Sequence, residues 1–179
     1  MPELPTRRNS LRLHDFDYSA HCCYFITIVT QGRVCRFGGI RDGELVLNAA
    51  GRMVEDAYQQ TLSAFRALQD IAYVVMPNHV HLFFFNGGDV SIADAVRWFK
   101  SKSTNGYIHG VKELGWPHFD VRLWQTRFYD VIVRNAVAHD YVVNYIFNNP
   151  LRWQYDRLNA DVDASHADNI GEQLRLMNW

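Results

Sequence analysis

The chain has 179 residues, 48% of them hydrophobic and 14% aromatic, with a formal net charge of −1. This composition excludes a disordered polyelectrolyte and is enough for one well-buried core. No apolar run approaches the roughly 20 residues that cross a bilayer. The start, Met1 to Ser10, carries Arg7 and Arg8 with no apolar stretch behind them, so neither a membrane span nor a secretory leader is expected.

In chain order, residues 1–20 read as a polar arm. Cys23 to Thr30 (CYFITIVT) is β-branched and aromatic, a buried strand. Gln31 to Gly43 contains Gly32, Gly38, Gly39 and Gly43 and reads as a loop, with a small hairpin around Glu44 to Leu47. Asn48 is placed to cap a helix to about Phe65, with Met53, Val54, Ala57, Leu62 and Phe65 at roughly helical spacing. Ile71 to Met76 is a second strand, Pro77-Asn78 a turn, and His79 to Phe85 a third strand. Ser91 with Asp94 resembles a capping box for a helix towards Tyr107 or Ile108, after which Gly106, Gly110, Gly115 and Pro117 predict a loop. Leu123 to Val133 predicts a fourth strand. Asn135 caps a last helix, Ala136 to Asn149, which Pro150 ends. Residues 151–179 predict a short helix and a tail from about 158.

The order strand, helix, strand, strand, helix, strand, helix predicts an α+β fold. Its first six elements make a ferredoxin-like split βαβ unit, an antiparallel sheet with helices on one face. A single domain is expected. The adjacent Cys22 and Cys23 and the solitary Cys35 show no C-x-x-C spacing, so structural cysteines in a reduced cytosolic chain are expected.

The chemistry concentrates in two segments. In Met76-Pro77-Asn78-His79-Val80-His81 the period of a strand turns both histidines to one face, half of a metal site. The alternative is a pair of surface histidines. In Asn144 to Pro150, Tyr145 and Asn149 lie four apart on one helical face. Asn149 offers an amide oxygen suited to Mg²⁺ or Mn²⁺, or simply ends the helix. Tyr145 is either a core tyrosine or a nucleophile. A phenol of pKa about 10 is a weak nucleophile at neutral pH unless the attacked phosphate is polarised by a metal.

The region from Ser91 to Arg134 is locally basic although the whole chain is not. Lys100, Lys102, Trp124, Gln125, Arg127 and Tyr129 combine cations, an amide and rings of the kind that hold phosphates and stack on unpaired bases. Arg134 and Asn135 are candidates for backbone contact, or for capping alone. Solvated helix faces and a half-buried edge strand are the plainer readings.

These segments also carry a resemblance. YFITI at 24–28, VMPNHVH at 75–81, FKS at 99–101, WQ at 124–125, FYD at 128–130, IVRN at 132–135 and YIFNNPL at 145–151 follow in the order found in single-tyrosine transposases of the HUH (His-hydrophobic-His) class. Over roughly residues 22–157 the chain is most similar to the REP-associated tyrosine transposases. The resemblance implies an HUH ferredoxin-like fold, a divalent metal (Mg²⁺ or Mn²⁺) on His79, His81 and Asn149, and Tyr145 as nucleophile. It implies a single-stranded DNA substrate cut beside hairpins of repetitive palindromic elements. It fits a cytoplasmic, nucleoid-associated protein of a prokaryote, with no membrane partner, acting as monomer or homodimer. Two other classes compete: a catalytically silent hairpin-binding module, and a small-molecule metalloenzyme, for which a clear further ligand is wanting.

Overall fold

The computed structural model describes residues 22–88, 90–162 and 170–177. The arm expected over 1–20 lies outside the described residues, as does part of the expected tail.

Strand β1 (Cys22–Val29) is followed by a hairpin of β2 (Gly38–Arg41) and β3 (Glu44–Leu47), helix α1 (Ala49–Ala64), strands β4 (Leu68–Val75) and β5 (His79–Asn86), and helix α2 (Ile92–Leu114). Strand β6 (Tyr129–Val133), helix α3 (Ala136–Asn148) and helix α4 (Ile170–Met177) complete the described elements. The main sheet has the order β4-β5-β1-β6 with every neighbour antiparallel. This is the ferredoxin-like arrangement of the first six predicted elements, with the β2–β3 hairpin inserted before α1.

Alternation along the strands builds two cores. Tyr24, Ile26 and Ile28 of β1 and Val80, Leu82 and Phe84 of β5 pack with α1 and α2. Phe25, Phe83, Val74 and Val133 face the other way, against α3 and α4. The two helices of the split βαβ unit therefore share one face, as expected. The helices that follow cover the opposite face. A central strand buried on both sides has no polar face to show, which explains the unbroken run Val80, His81, Leu82, Phe83, Phe84, every side chain of it buried.

Helix starts follow the sequence closely. Asn48 Oδ1 accepts from Gly51 N at 2.9 Å and Asn135 Oδ1 from Ala138 N at 2.8 Å. Ser91 Oγ accepts from Asp94 N.

Two expectations need correction. Helix α2 runs to Leu114, well past Ile108, and takes in Gly106 and Gly110. These glycines are close-approach positions. A Cβ on Gly106 would meet Met53 Sδ at 2.6 Å, and one on Gly110 would overlap the Trp116 ring. The break comes at Gly115, whose left-handed φ of 69° ends the helix. The fourth strand is shorter than Leu123 to Val133. Only Tyr129–Val133 pairs with β1, while Trp124 makes one isolated bridge to Thr30. Leu123 and Trp124 are apolar because they fill the α1/α2 core, not because they extend the sheet.

In an open helix interior, Gly→Ala raises stability by about 1 kcal/mol. At Gly110 the overpacking against Trp116 costs about 1–3 kcal/mol. Gly110→Ala should therefore lower the melting temperature by several degrees in a thermal unfolding scan. A rise would show that the Trp116 ring moves aside freely.

Candidate active site

The register of the sheet sets the floor of the site. Thr27 of β1 lies opposite His81 of β5 on one side and Tyr129 of β6 on the other, so a polar row crosses the α3 face of the sheet. The next row is apolar, with Phe25 between Phe83 and Val131. His79, two residues before His81, points the same way.

Both imidazoles are fully enclosed, at 0% and 1% exposure. Burial disfavours the charged ring. It pushes the His79 pKa down to about 3 and that of His81 well below its usual value, where His79 adds to the effect and Asp156 opposes it. Neutral imidazole is the metal-binding form.

Hydrogen bonds orient the rings. Asn78 Nδ2 donates to the carbonyls of Arg33 at 2.9 Å and Leu158 at 2.8 Å, which commits its amide nitrogen and leaves Oδ1 as an acceptor. His79 Nδ1 lies 2.8 Å from that Oδ1 and must donate to it. The Nε2 of His79 is then the bare lone pair. It faces His81 Nε2 at 3.1 Å. His81 Nδ1 lies 2.9 Å from the Thr27 hydroxyl, which can accept or donate and so tolerates either tautomer of His81. A proton on His81 Nε2 can bridge the two rings. Moved to Nδ1, it leaves two lone pairs converging on one point, a donor pair that fits a divalent cation.

Asp156 completes the cluster. It follows a short 3-10 turn (Trp153–Tyr155) beyond α3, is 5% exposed, and brings Oδ2 to 3.6 Å from His79 Nε2. Since His79 is neutral, this contact is not an ion pair. The candidate donor atoms of His79, His81 and Asp156 all lie within 4.8 Å of one another.

Tyr145 lies above this floor on α3. Its ring centroid is 5.3 Å from that of His81 and 6.1 Å from that of Phe25, both edge-on. It lines a cleft of about 620 Å³ together with His81, Thr27, Asp156 and Tyr129. Arg33, Arg157 and Arg175 line the same cleft, as does Glu172, and α4 forms one wall. Asn149, one turn after Tyr145, is 1% exposed, and its Oδ1 is buried with no hydrogen-bond partner among the described residues.

The other predicted residues divide. Tyr129 is in the cleft, where burial raises its phenol pKa and the hydrogen-bonded Arg175 opposes the rise. Trp124 is a correction: it is 4% exposed, donates Nε1–H to Ser103 and packs on Phe37 and Phe99, so it is core and not a stacking platform. Lys100 points its ammonium at the carbonyls of Gln125, Thr126 and Arg127 and so pins that loop. With Gln125 it lines a separate surface groove. Lys102 is exposed, its ammonium 5.0 Å from the centre of the Trp98 ring. Arg127 and Arg134 are exposed. Asn135 caps α3 and donates to the Met177 carbonyl.

Sequence reasoning missed Asp156, Asn78 as an orienting group, and the three arginines of the cleft. Only Asn78, inside the histidine motif, carried a local signal.

Comparison with known proteins shows the family of the chain. The family model described as "Transposase IS200 like" matches residues 48–149, more than half of the chain and a span that includes both histidines, Tyr145 and Asn149. The chain belongs to the IS200-like transposase family. An uncharacterized protein of Haemophilus influenzae is 28% identical over 176 residues, covering 86% of this chain and 94% of its own. A REP-associated tyrosine transposase of Escherichia coli is 27% identical over 111 residues, 60% of each chain. A solved REP-associated tyrosine transposase bound to a REP hairpin superposes with a TM-score of 0.61 at 18% identity, over 82% of this chain and 76% of that one, and shares the fold. Asp156 of this transposase lies outside the span of the family match.

Packing on Phe25 and His81 makes the Tyr145 ring part of the structure of the site. Tyr145→Ala should cost about 3–5 kcal/mol in denaturant unfolding. Tyr145→Phe, which keeps the ring, should cost no more than one hydrogen bond, about 0.5–1.5 kcal/mol. Equal losses would show that the ring is not packed as described.

Proposed function

We propose that this transposase is a metal-dependent single-stranded DNA transesterase, cleaving and rejoining DNA beside hairpins of palindromic repeats through a phosphotyrosine link. The observation that carries the reading is the edge-on packing of Tyr145 against His81 at the floor of an arginine-lined cleft.

The cleft suits a nucleic-acid strand: guanidinium groups hold phosphates and the Tyr129 ring offers an apolar surface for a base. Exposed Lys102, Arg127 and Arg134 would extend the contact along a hairpin. The phenol oxygen of Tyr145 attacks the phosphorus of a phosphate seated over the histidine pair. The bond from phosphorus to the 3′ oxygen breaks, and that oxygen leaves as a hydroxyl. The new phosphotyrosine ester conserves the bond energy, so a 3′-hydroxyl can later attack it and restore both the phosphodiester and the phenol. His79 and His81, with Asn149 through its buried Oδ1, would hold a divalent ion (Mg²⁺ or Mn²⁺). When bound, the ion polarises the phosphate and offsets the charge that builds in the transition state. The relative solved with a REP hairpin supports hairpin DNA as the partner. A cytoplasmic, DNA-associated location goes with this reading.

The test is a denaturing gel of protein mixed with end-labelled hairpin DNA bearing single-stranded flanks. Wild type should carry the label, and Tyr145→Phe or added EDTA should remove it. Hairpins that bind tightly but never become covalently attached would favour a silent binding module instead. Arg157→Ala should weaken binding across sequences and reduce the slope of log affinity against log salt by about one, a slope that stays unchanged if the strand lies elsewhere.

A further inference from the structure

We propose that Asp156 is a direct metal ligand in this transposase, so that the ion is held by two imidazoles and a carboxylate before any DNA arrives. This rests on the reading of His79 and His81 as a metal pair and adds to it a charged ligand from outside the tyrosine helix.

The chain is built to deliver this carboxylate. After α3 it turns through Trp153–Tyr155, the Trp153 ring stacking on His79 with centroids 6.1 Å apart. Asp156 Oδ1 then accepts from Leu158 N at 2.7 Å, which fixes the carboxylate and leaves Oδ2 towards His79. The Leu158 carbonyl in turn accepts from Asn78 Nδ2 at 2.8 Å, and Asn78 Oδ1 accepts from His79 Nδ1 at 2.8 Å. One closed circuit, from Asp156 through Leu158 and Asn78 to His79, thus sets the tautomer of the histidine and the position of the carboxylate together. Asn78 is the positioning residue of the site, and the carboxylate comes to rest within 4.8 Å of a ring nitrogen of each histidine.

The chemistry of the donors defines the ion. A buried carboxylate beside two neutral imidazole donors binds a divalent cation more strongly than the imidazoles do alone. Mg²⁺ prefers oxygen donors and sheds water reluctantly. Imidazole nitrogen favours the first-row transition ions, and Mn²⁺, the weakest binder of that series, also suits the carboxylate. The site should therefore take Mn²⁺ in preference to Mg²⁺. The amide of Asn149 can join as a further oxygen donor but, being neutral, lacks the negative charge of a carboxylate.

The experiment measures Mn²⁺ binding to the full chain without DNA, from the loss of the free-ion electron paramagnetic resonance signal, with Mg²⁺ as competitor. Wild type should bind one Mn²⁺, more tightly than Mg²⁺ by more than about 10-fold. Asp156→Asn keeps the acceptor for Leu158 N and removes the charge; it should lose at least about 10-fold in Mn²⁺ affinity while its metal-free melting temperature stays near that of wild type. Asp156→Glu should retain more affinity than Asp156→Asn, a difference that a purely structural role would not produce. Equal Mn²⁺ affinity in wild type and Asp156→Asn overturns the assignment. So does equal affinity of wild type for Mn²⁺ and Mg²⁺, a measurement that needs no variant to fold. Formation of the covalent DNA adduct is read separately: adduct with no Asp156 dependence of Mn²⁺ binding removes only this inference, and Asp156-dependent binding with no adduct removes only the transesterase.

Discussion

The side chain of Asn78 is the constraint on which the site depends. Its amide nitrogen is committed to the carbonyls of Arg33 and Leu158, from two loops far apart in sequence, and its oxygen to His79. None of the three bonds can be exchanged without turning the amide, and a turned amide would set its oxygen against the carbonyl oxygens of Arg33 and Leu158. The segment after β1, the turn before β5 and the segment after α3 are therefore locked together by one residue.

Around this hub the sheet supplies rigidity and dryness. Because helices cover both faces, a histidine pair on β5 is buried as a consequence of the fold, and burial keeps both rings neutral. A lysine or carboxylate in the same place would carry a heavier desolvation cost. The neighbouring apolar row, with Phe25 and Phe83, carries Tyr145 on its ring and holds the phenol beside His81. The same packing that stabilises α3 on the sheet thus aligns the tyrosine with the histidines. The arginines come from elements outside this frame, so a rigid floor of sheet residues lies below a polar mouth.

Much of this was legible in the sequence, for identifiable reasons. Strand alternation placed His79 and His81 on one face, and helical spacing placed Tyr145 and Asn149 on another. Asn48, Ser91 and Asn135 marked helix starts through side chains that act locally. Gly106 and Gly110 misled because their purpose is tertiary: Met53 and Trp116 occupy the space a side chain would need. Trp124 misled in the same way, since its indole is satisfied by Ser103 in the interior. Asp156 was invisible because nothing in its spacing from the histidines is periodic. Only the reversal of the chain after α3 brings it to them. Asn78 reads as a turn former from local pattern, and its three long-range or ring contacts exist only in the folded chain.

The most direct test of this account is the protonation of the two imidazoles, measured by nitrogen-15 NMR of the side chains in the metal-free protein and again with a diamagnetic divalent ion. His79 should carry its proton on Nδ1 in both states, because Asn78 accepts it there. His81 should carry its proton on Nε2 before the ion is added and on Nδ1 afterwards, with the Thr27 hydroxyl changing from donor to acceptor. A His79 protonated on Nε2 in either state would contradict the orienting role of Asn78 and, with it, the convergent lone pairs on which the site is built.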